Sequence, residues 1–284
     1  MRSVLRKRLG AIGLWILTFL LMVIMCVPGL WVVLTAFRPN SEVLAKPAIW
    51  IPENPGFGNF AKIFGFGADQ IAIPVTAYFM NSLIIALTST AIALLIGMSG
   101  GYAFARYRFR FKNGIFLGLM LSRTVPGIAL SLPIFIIWSK IGLIDAKLGL
   151  IIVYVAMNVP FTIWLIDGFF RQIPKEMSEA AQVDGCTRWQ AFWKIEFPLA
   201  KSGIASAGIF AFLTSWNEYA LALMMTNRNA QTAPPFIPSQ LGSGMIDWTT
   251  IAAGTFIFLF PVAVFTFFLR KHLLRGVTFG AIRK

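Results

Sequence analysis

The sequence predicts an all-α, polytopic membrane protein with six transmembrane helices. Three observations carry this. The chain of 284 residues is 57% hydrophobic and only 13% charged, about half the charged share of a soluble domain, and its mean hydropathy is +0.74. Six segments reach the ~20 mostly apolar residues that a helix needs to cross the hydrocarbon core. The basic residues between those segments are unevenly shared. Backbone groups in lipid must be bonded within the span, so the segments are helices; the alternation of a membrane barrel is absent.

The first span, about 9–37, is uncharged. Its apolar run is longer than the roughly 7–15 residues of a signal-peptide core, and no small-residue cleavage site follows it, so it reads as a retained helix. Arg38–Gln70 is rich in Pro, Gly and Asn and reads as an external loop, with a short interfacial helix at its "FGNFAKIF" end. An apolar run from Ile71 to Ala105 holds the second span, about 76–105, with Asn81 and Ser82 near its outer end. It closes on "GMSGGYAFARYRFRFK", where small residues permit close helix approach and basic residues mark the cytoplasm. The third span, about 114–139, is broken only by Arg123 and holds Pro126 and Pro133; the fourth, about 148–170, is broken only by Asp167 and holds Pro160. The fifth, about 202–226, is broken only by Glu218; the sixth, about 248–269, is uncharged and holds Pro261. These prolines suit helices that bend or line a watery path, although proline is also common in membrane helices generally. Loop 227–247 is too proline-rich to read as a helix; it is either a surface for an external partner or a plain connector.

With six spans the polar segments alternate sides. One side carries 18 Lys and Arg and the other six, which places both termini in the cytoplasm by the positive-inside rule. The formal charge of +14 is therefore a topology signal rather than a nucleic-acid footprint. Cys26 and Cys186 form no disulfide framework or metal spacing. His272 is the only histidine, which removes a histidine-based zinc site or triad. No GxxxxGK[ST], GxSxG or HExxH motif occurs, so no hydrolytic chemistry is expected of this chain. Trp15, Trp50, Trp138 and Trp248 fall where interfacial belts sit, although tryptophans also stack on sugar rings.

Ionisable residues inside spans are functional candidates by default. At ~1.5 Å per residue, Asp167 lies about 5 Å from the inner end of its span and is expected to reach water. Arg123 lies roughly 13 Å deep and Glu218 roughly 24 Å deep, so a direct pair between them is not expected. Arg123, Asn217 and Glu218 are candidate pathway, gate or bracing residues.

The segment Arg171–Lys201 is charged and helix-forming between two apolar spans. Pro174 suits a first helical turn, and Lys175–Val183 consists of good helix formers. Gly185 follows Asp184 where a left-handed residue ends a helix. Thr187 and Gln190 form a capping box for a second helix, with Trp189, Phe192 and Trp193 as its apolar stripe and Pro198 as its limit. The predicted product is a helix, a glycine turn and a helix. It is either a handle for a partner's groove or a hairpin lying on lipid.

"EAAQVDG" at Glu179–Gly185, followed by "FPLAKSG" at Phe197–Gly203, resembles the EAA loop of ABC-importer permeases. "NSL" at Asn81–Leu83, "GGYAFARYRF" at Gly100–Phe109, "SWNEYALALMMT" at Ser215–Thr226 and "RGVTFGAIRK" at Arg275–Lys284 extend the resemblance over essentially the whole chain. They point to the carbohydrate, maltose-type, binding-protein-dependent branch. Cys186 departs from the usual small residue after the glycine. The resemblance implies a type I importer permease, one domain over 1–284, with coupling loop 171–201 and cytoplasmic tail 270–284. It implies that Glu179, Ala180, Ala181, Asp184 and Gly185 dock on a separate ABC ATPase dimer, which Arg275, Gly276 and Gly280 of the tail also contact. ATP and Mg belong to that ATPase, and this chain binds no cofactor or metal. Further implied partners are a second permease subunit, usually a different chain, an external solute-binding protein that loop 227–247 touches, and the lipid of a bacterial cytoplasmic membrane. The implied cargo is a sugar, oligosaccharide or sugar derivative. A polyol, glycerol phosphate or polyamine permease of the same type is the near alternative, and an ion-driven secondary transporter the distant one.

Overall fold

Apolar runs become long helices wherever neither proline nor a competing side chain interrupts the backbone ladder. The computed structural model describes residues 2–66, 75–239 and 247–280. In chain order the helices are α1 (Arg2–Ala36), α2 (Asn40–Val43), α3 (Gly58–Ile63), α4 (Val75–Arg106), α5 (Lys112–Ser122), α6 (Gly127–Ile141) and α7 (Lys147–Gln172). They continue with α8 (Lys175–Val183), α9 (Arg188–Ala191), a π-helical segment (Phe192–Glu196), α10 (Phe197–Trp216), α11 (Ala220–Met225), α12 (Ala233–Ser239) and α13 (Trp248–Gly280). Among the described residues, five helices are long and apolar enough to cross a membrane, and α5 with α6 make a sixth candidate bent by 93°.

Four expectations about individual elements are corrected. The third span is not one straight helix over 114–139, because Pro126 lacks an N–H and steers the preceding residues out of the helical region. The fifth is interrupted after Trp216. There the Glu218 carboxylate accepts the N–H groups of Leu221 and Ala222 at 3.1 and 3.0 Å, starting α11 afresh. Pro198 does not limit the second helix of the charged hairpin. It sits at the start of α10, directly after the π segment that carries α9 into α10, and that widened turn accommodates a residue without an N–H. Loop 227–247 does contain a helix, α12, because Pro234 and Pro235 occupy its tolerant first turn. Residues 240–246 of that loop, 71–74 at the start of the second apolar run and 281–284 of the tail lie outside the described residues; 270–280 continue α13.

The chain forms two compact units, 1–76 with 237–259, and 77–236 with 260–284. In the first, the loop after α1 folds on buried polar groups. The Arg38 guanidinium donates to the carbonyls of Ile49 and Trp50 at 2.7 and 3.0 Å and lies over Trp31. Glu42 accepts the N–H groups of Glu53 and Asn54. Asn59, on the short helix foreseen in "FGNFAKIF", donates to the carbonyls of Ala36 and Arg38 and accepts from Thr249. Asp247 caps α13 through Thr249 and Thr250 and pairs with Lys62 at 3.3 Å. Burial opposes its charge, but these hydrogen bonds and Lys62 outweigh it and hold the carboxyl down to about 2.

In the second unit α4, α7 and α10 meet through small residues. A Cβ on Gly97 would collide with the Thr162 side chain, one on Gly101 would meet the Asp167 amide at 2.9 Å, and one on Gly203 would enter the Phe169 ring. The "GMSGG" run therefore lets α4 approach α7 as expected. Between the helices lies a buried polar chain. Asn158 donates to the Ser215 hydroxyl at 2.9 Å, and Ser89 donates to the same hydroxyl at 3.1 Å.

Gly101→Ala is expected to destabilise the protein by about 1–3 kcal/mol, since the obstructing atom is backbone. Gly118→Ala, which faces open space, is expected to be neutral or stabilising. Thermal unfolding of both variants in detergent checks this.

Candidate functional site

The charged hairpin begins where α7 ends. Ile173 is extended, Pro174 opens α8, and Ser178 turns its hydroxyl back to the Lys175 carbonyl. The helix ends on a Schellman motif. Gly185 has φ +90°, its N–H donates to the Gln182 carbonyl at 3.1 Å, and the Cys186 N–H donates to that of Ala181 at 2.9 Å. The capping box foreseen at Thr187 and Gln190 is present at 3.2 and 2.9 Å. Glu179, Ala180, Asp184 and Gly185 are exposed and Ala181 is half-buried, while Val183 is 87% exposed. Small residues, one apolar knob and flanking carboxylates thus share the free surface of α8.

The root of the hairpin is held by a residue pair that motif reading passes over. Arg106, the last residue of α4, places Nε 2.7 Å from the Glu196 carboxylate, and both side chains are buried, 7% and 1% exposed. Its Nη2 donates to the Ile173 carbonyl at 3.1 Å. One guanidinium thus ties the end of α4 to the strut before α8 and to the π segment after α9. The widened π turn is what directs Glu196 inward while leaving Trp193 at the surface. Ile166, Phe170, Ile173, Phe192 and Ala200 pack around this point.

Asp167 does not reach water as its depth implied. It is buried, and Arg171 one turn on reaches back to both carboxylate oxygens at 2.9 and 2.8 Å while donating to the Phe104 carbonyl. The i,i+4 spacing makes this pair, with a buried carboxylate and a half-exposed guanidinium.

The remaining candidates fall at helix breaks. Arg123 ends α5, is exposed, and lies 4.6 Å from the Phe161 ring, which neighbours Trp164 and Phe210. Glu218 accepts from the Tyr154 hydroxyl at 3.1 Å besides capping α11. Asn217 is exposed and donates to the Leu213 carbonyl. Among the described residues no ion pair joins Arg123 to Glu218, as their depths led us to expect. Arg275, Gly276 and Gly280 lie along α13, with side chains outside the described residues.

A second polar hub escaped motif reading. Asp145, at φ +55° between α6 and α7, gathers the N–H groups of Asn227, Arg228, Asn229 and Ala230 at 3.0 to 3.2 Å. Asn81 holds the carbonyls of Asn229 and Gln231, and Ser82 accepts the Ala233 N–H. The loop after α11 is therefore pinned. Burial pushes the Asp145 carboxyl up, but the backbone N–H groups outweigh it and hold it below its ordinary range.

Two outcomes follow. Arg106→Met leaves a buried carboxylate uncompensated and is expected to cost about 3–5 kcal/mol, whereas Arg106→Met with Glu196→Met costs less than the sum of the single changes; thermal unfolding across the four-protein cycle measures it. For Asp145 the native carboxyl titrates below the unfolded one. The clamp is thus fully present above the ordinary carboxylate value near ~4 and is lost only as pH falls through the lower native value. Amide exchange of Asn227–Ala230, corrected for intrinsic rates, should stay slow in wild type down to that range and be fast at neutral pH in Asp145→Ala.

Comparison with known proteins agrees with this geometry. Residues 93–279 match the family described as the binding-protein-dependent transport system inner membrane component. The chain is 35% identical over 259 residues to the trehalose transport system permease protein SugB of Mycobacterium tuberculosis, covering 90% of this chain and 92% of that one. It is 31% identical over 257 residues to the sulfoquinovosyl glycerol transport system permease protein SmoH of Agrobacterium fabrum, covering 90% and 88%. In fold it is similar to a chain of a bacterial ABC transporter involved in the import of the acidic polysaccharide alginate, with a TM-score of 0.74, 18% identity, and 93% and 96% of the two chains covered. The protein belongs to the family of inner-membrane components of binding-protein-dependent transport systems, within the branch of the sugar ABC permeases.

Proposed function

We propose that this chain is the permease subunit of an ATP-driven importer and carries a sugar, oligosaccharide or sugar derivative across a bacterial cytoplasmic membrane. The observation that supports this most is the exposed α8 surface, Glu179–Gly185, rooted in the spans by Arg106 and Glu196. A short helix that is free on one side and rigidly based on the other suits a lever. Its partner would be a cleft of a separate ABC ATPase dimer, which supplies ATP and Mg; Arg275, Gly276 and Gly280 of α13 are proposed as a further contact with it. The basic excess supports a cytoplasmic hairpin and cytoplasmic termini.

On the other face, the pinned turn Asn227–Ala230 leads into α12, and this region is proposed to meet a solute-binding protein. A second permease subunit, a different chain, would complete the path. Arg123 beside Phe161 and the Asn217–Glu218 break are proposed to face that path. A mid-span guanidinium needs water or a polar partner, and broken helices gather where transporters bind cargo. Transport follows from differential binding: ATP favours one arrangement of the ATPases, and the levers pass that preference to the spans.

Glu179→Lys and Gly185→Pro are expected to abolish uptake while the chain stays in the membrane at wild-type levels. Pull-down of tagged chain in mild detergent should recover a Walker-motif ATPase and a second permease with wild type, and lose the ATPase with Glu179→Lys. Normal uptake by both variants would contradict the lever role.

A further inference from the structure

The hairpin leaves a groove that the coupling role does not use. It lies between the last turns of α4 and the α9–π segment, with a volume of about 390 Å³. Aromatic residues, Trp189 and Trp193 among them, dominate its lining, and Arg188 is its one charged lining residue. No acidic side chain lines it. The nearby carboxylate, Glu196, is buried and neutralised by Arg106. Trp189 is 68% exposed and Trp193 is 40% exposed, a large aromatic surface to leave in water.

We infer that this groove binds one acidic phospholipid, with an acyl chain along the aromatic walls and the headgroup phosphate at Arg188. Three features commit the occupant. The groove lies at the end of a membrane helix, beside the basic cluster Arg106–Lys112, so it sits at headgroup level. Tryptophan and tyrosine rings settle at that level because one edge is apolar and the other polar. The groove's one charged lining group is the Arg188 guanidinium, which has no carboxylate partner among the described residues, and guanidinium binds phosphate in a fixed fork. A partner helix would need apolar cover over the rim as well, and it would leave Arg188 unpaired. The lipid so placed braces the surface of the hairpin opposite α8.

The test is native mass spectrometry of the purified full-length protein with its co-purifying subunits, titrated with phosphatidylglycerol and phosphatidylcholine of identical acyl chains. One phosphatidylglycerol should bind in preference to phosphatidylcholine. Arg188→Gln should weaken phosphatidylglycerol about fivefold, the factor one cation supplies near an anionic surface, with phosphatidylcholine unchanged. Trp193→Ala should weaken both lipids. Lys140→Gln, near the end of α6 and exposed, should change neither. Equal binding of the two lipids by wild type, or an unchanged Arg188→Gln, would overturn the inference. So would a photo-crosslinking residue at Trp189 that captures the second permease and no lipid.

Discussion

Everything at the base of the molecule depends on one buried charge pair. Arg106 and Glu196 are 90 residues apart in sequence and 2.7 Å apart in space. Removing two charges from water is expensive, and such a pair is favourable only when the leftover donors and acceptors are also bonded. Here Arg106 also reaches the Ile173 carbonyl, and the Tyr102 hydroxyl lies 3.5 Å from the carboxylate. The three attachments belong to α4, the strut before α8 and the π segment. Without them the hairpin would join the spans only through the Ile173–Pro174 link and the π segment. With them, the hairpin and the ends of the spans are tied at one point. A hydrophobic trio of equal volume could be as stable, but it would not fix the register of three backbone segments so narrowly.

The spans themselves follow the logic of a bilayer, where polar groups and small side chains replace the hydrophobic drive. Glycines on α4 and α10 bring backbones together, and Asn158, Ser215 and Ser89 join α4, α7 and α10 in the space that remains. The same economy governs the breaks. The break after Trp216 is tolerated because Glu218 accepts the N–H groups that start α11, with the Tyr154 hydroxyl donating to the same carboxylate. Asp145 does the same for the turn after α11, where four backbone N–H groups converge on one carboxylate. Glu218 and Asp145 thus sit where the helical ladder stops.

Much of this was legible in the sequence, for reasons that differ by element. The spans follow from apolar length, and the hairpin from local rules: a glycine at a positive φ that other residues adopt only at a cost, and a capping box four residues long. The close contact of α4 with α7 could be read from its run of small residues. What could not be read needed distant or competing information. Arg106 and Glu196 look like ordinary interfacial charges until the fold places them together. Depth counting assigned Asp167 to water because it ignores neighbours, and Arg171 supplied one. The split of the third span turns on Pro126 ending a helix rather than kinking it, and local sequence allows either. The π turn has no simple sequence signal at all, yet it turns Glu196 inward.

The central claim is that α8 and the spans of this chain move as one body. Spin labels on cysteines placed at Val183 and Leu199, which are 87% and 49% exposed, with Cys26 and Cys186 replaced by serine, report the distance from the coupling surface to the root of α10. Pulsed dipolar spectroscopy of the assembled transporter, nucleotide-free and trapped with vanadate, measures that distance in two states. The account predicts one narrow distribution, unchanged between them. A shifted or broadened distribution on trapping would contradict it, and would mean that the hairpin flexes at its base instead of transmitting the stroke.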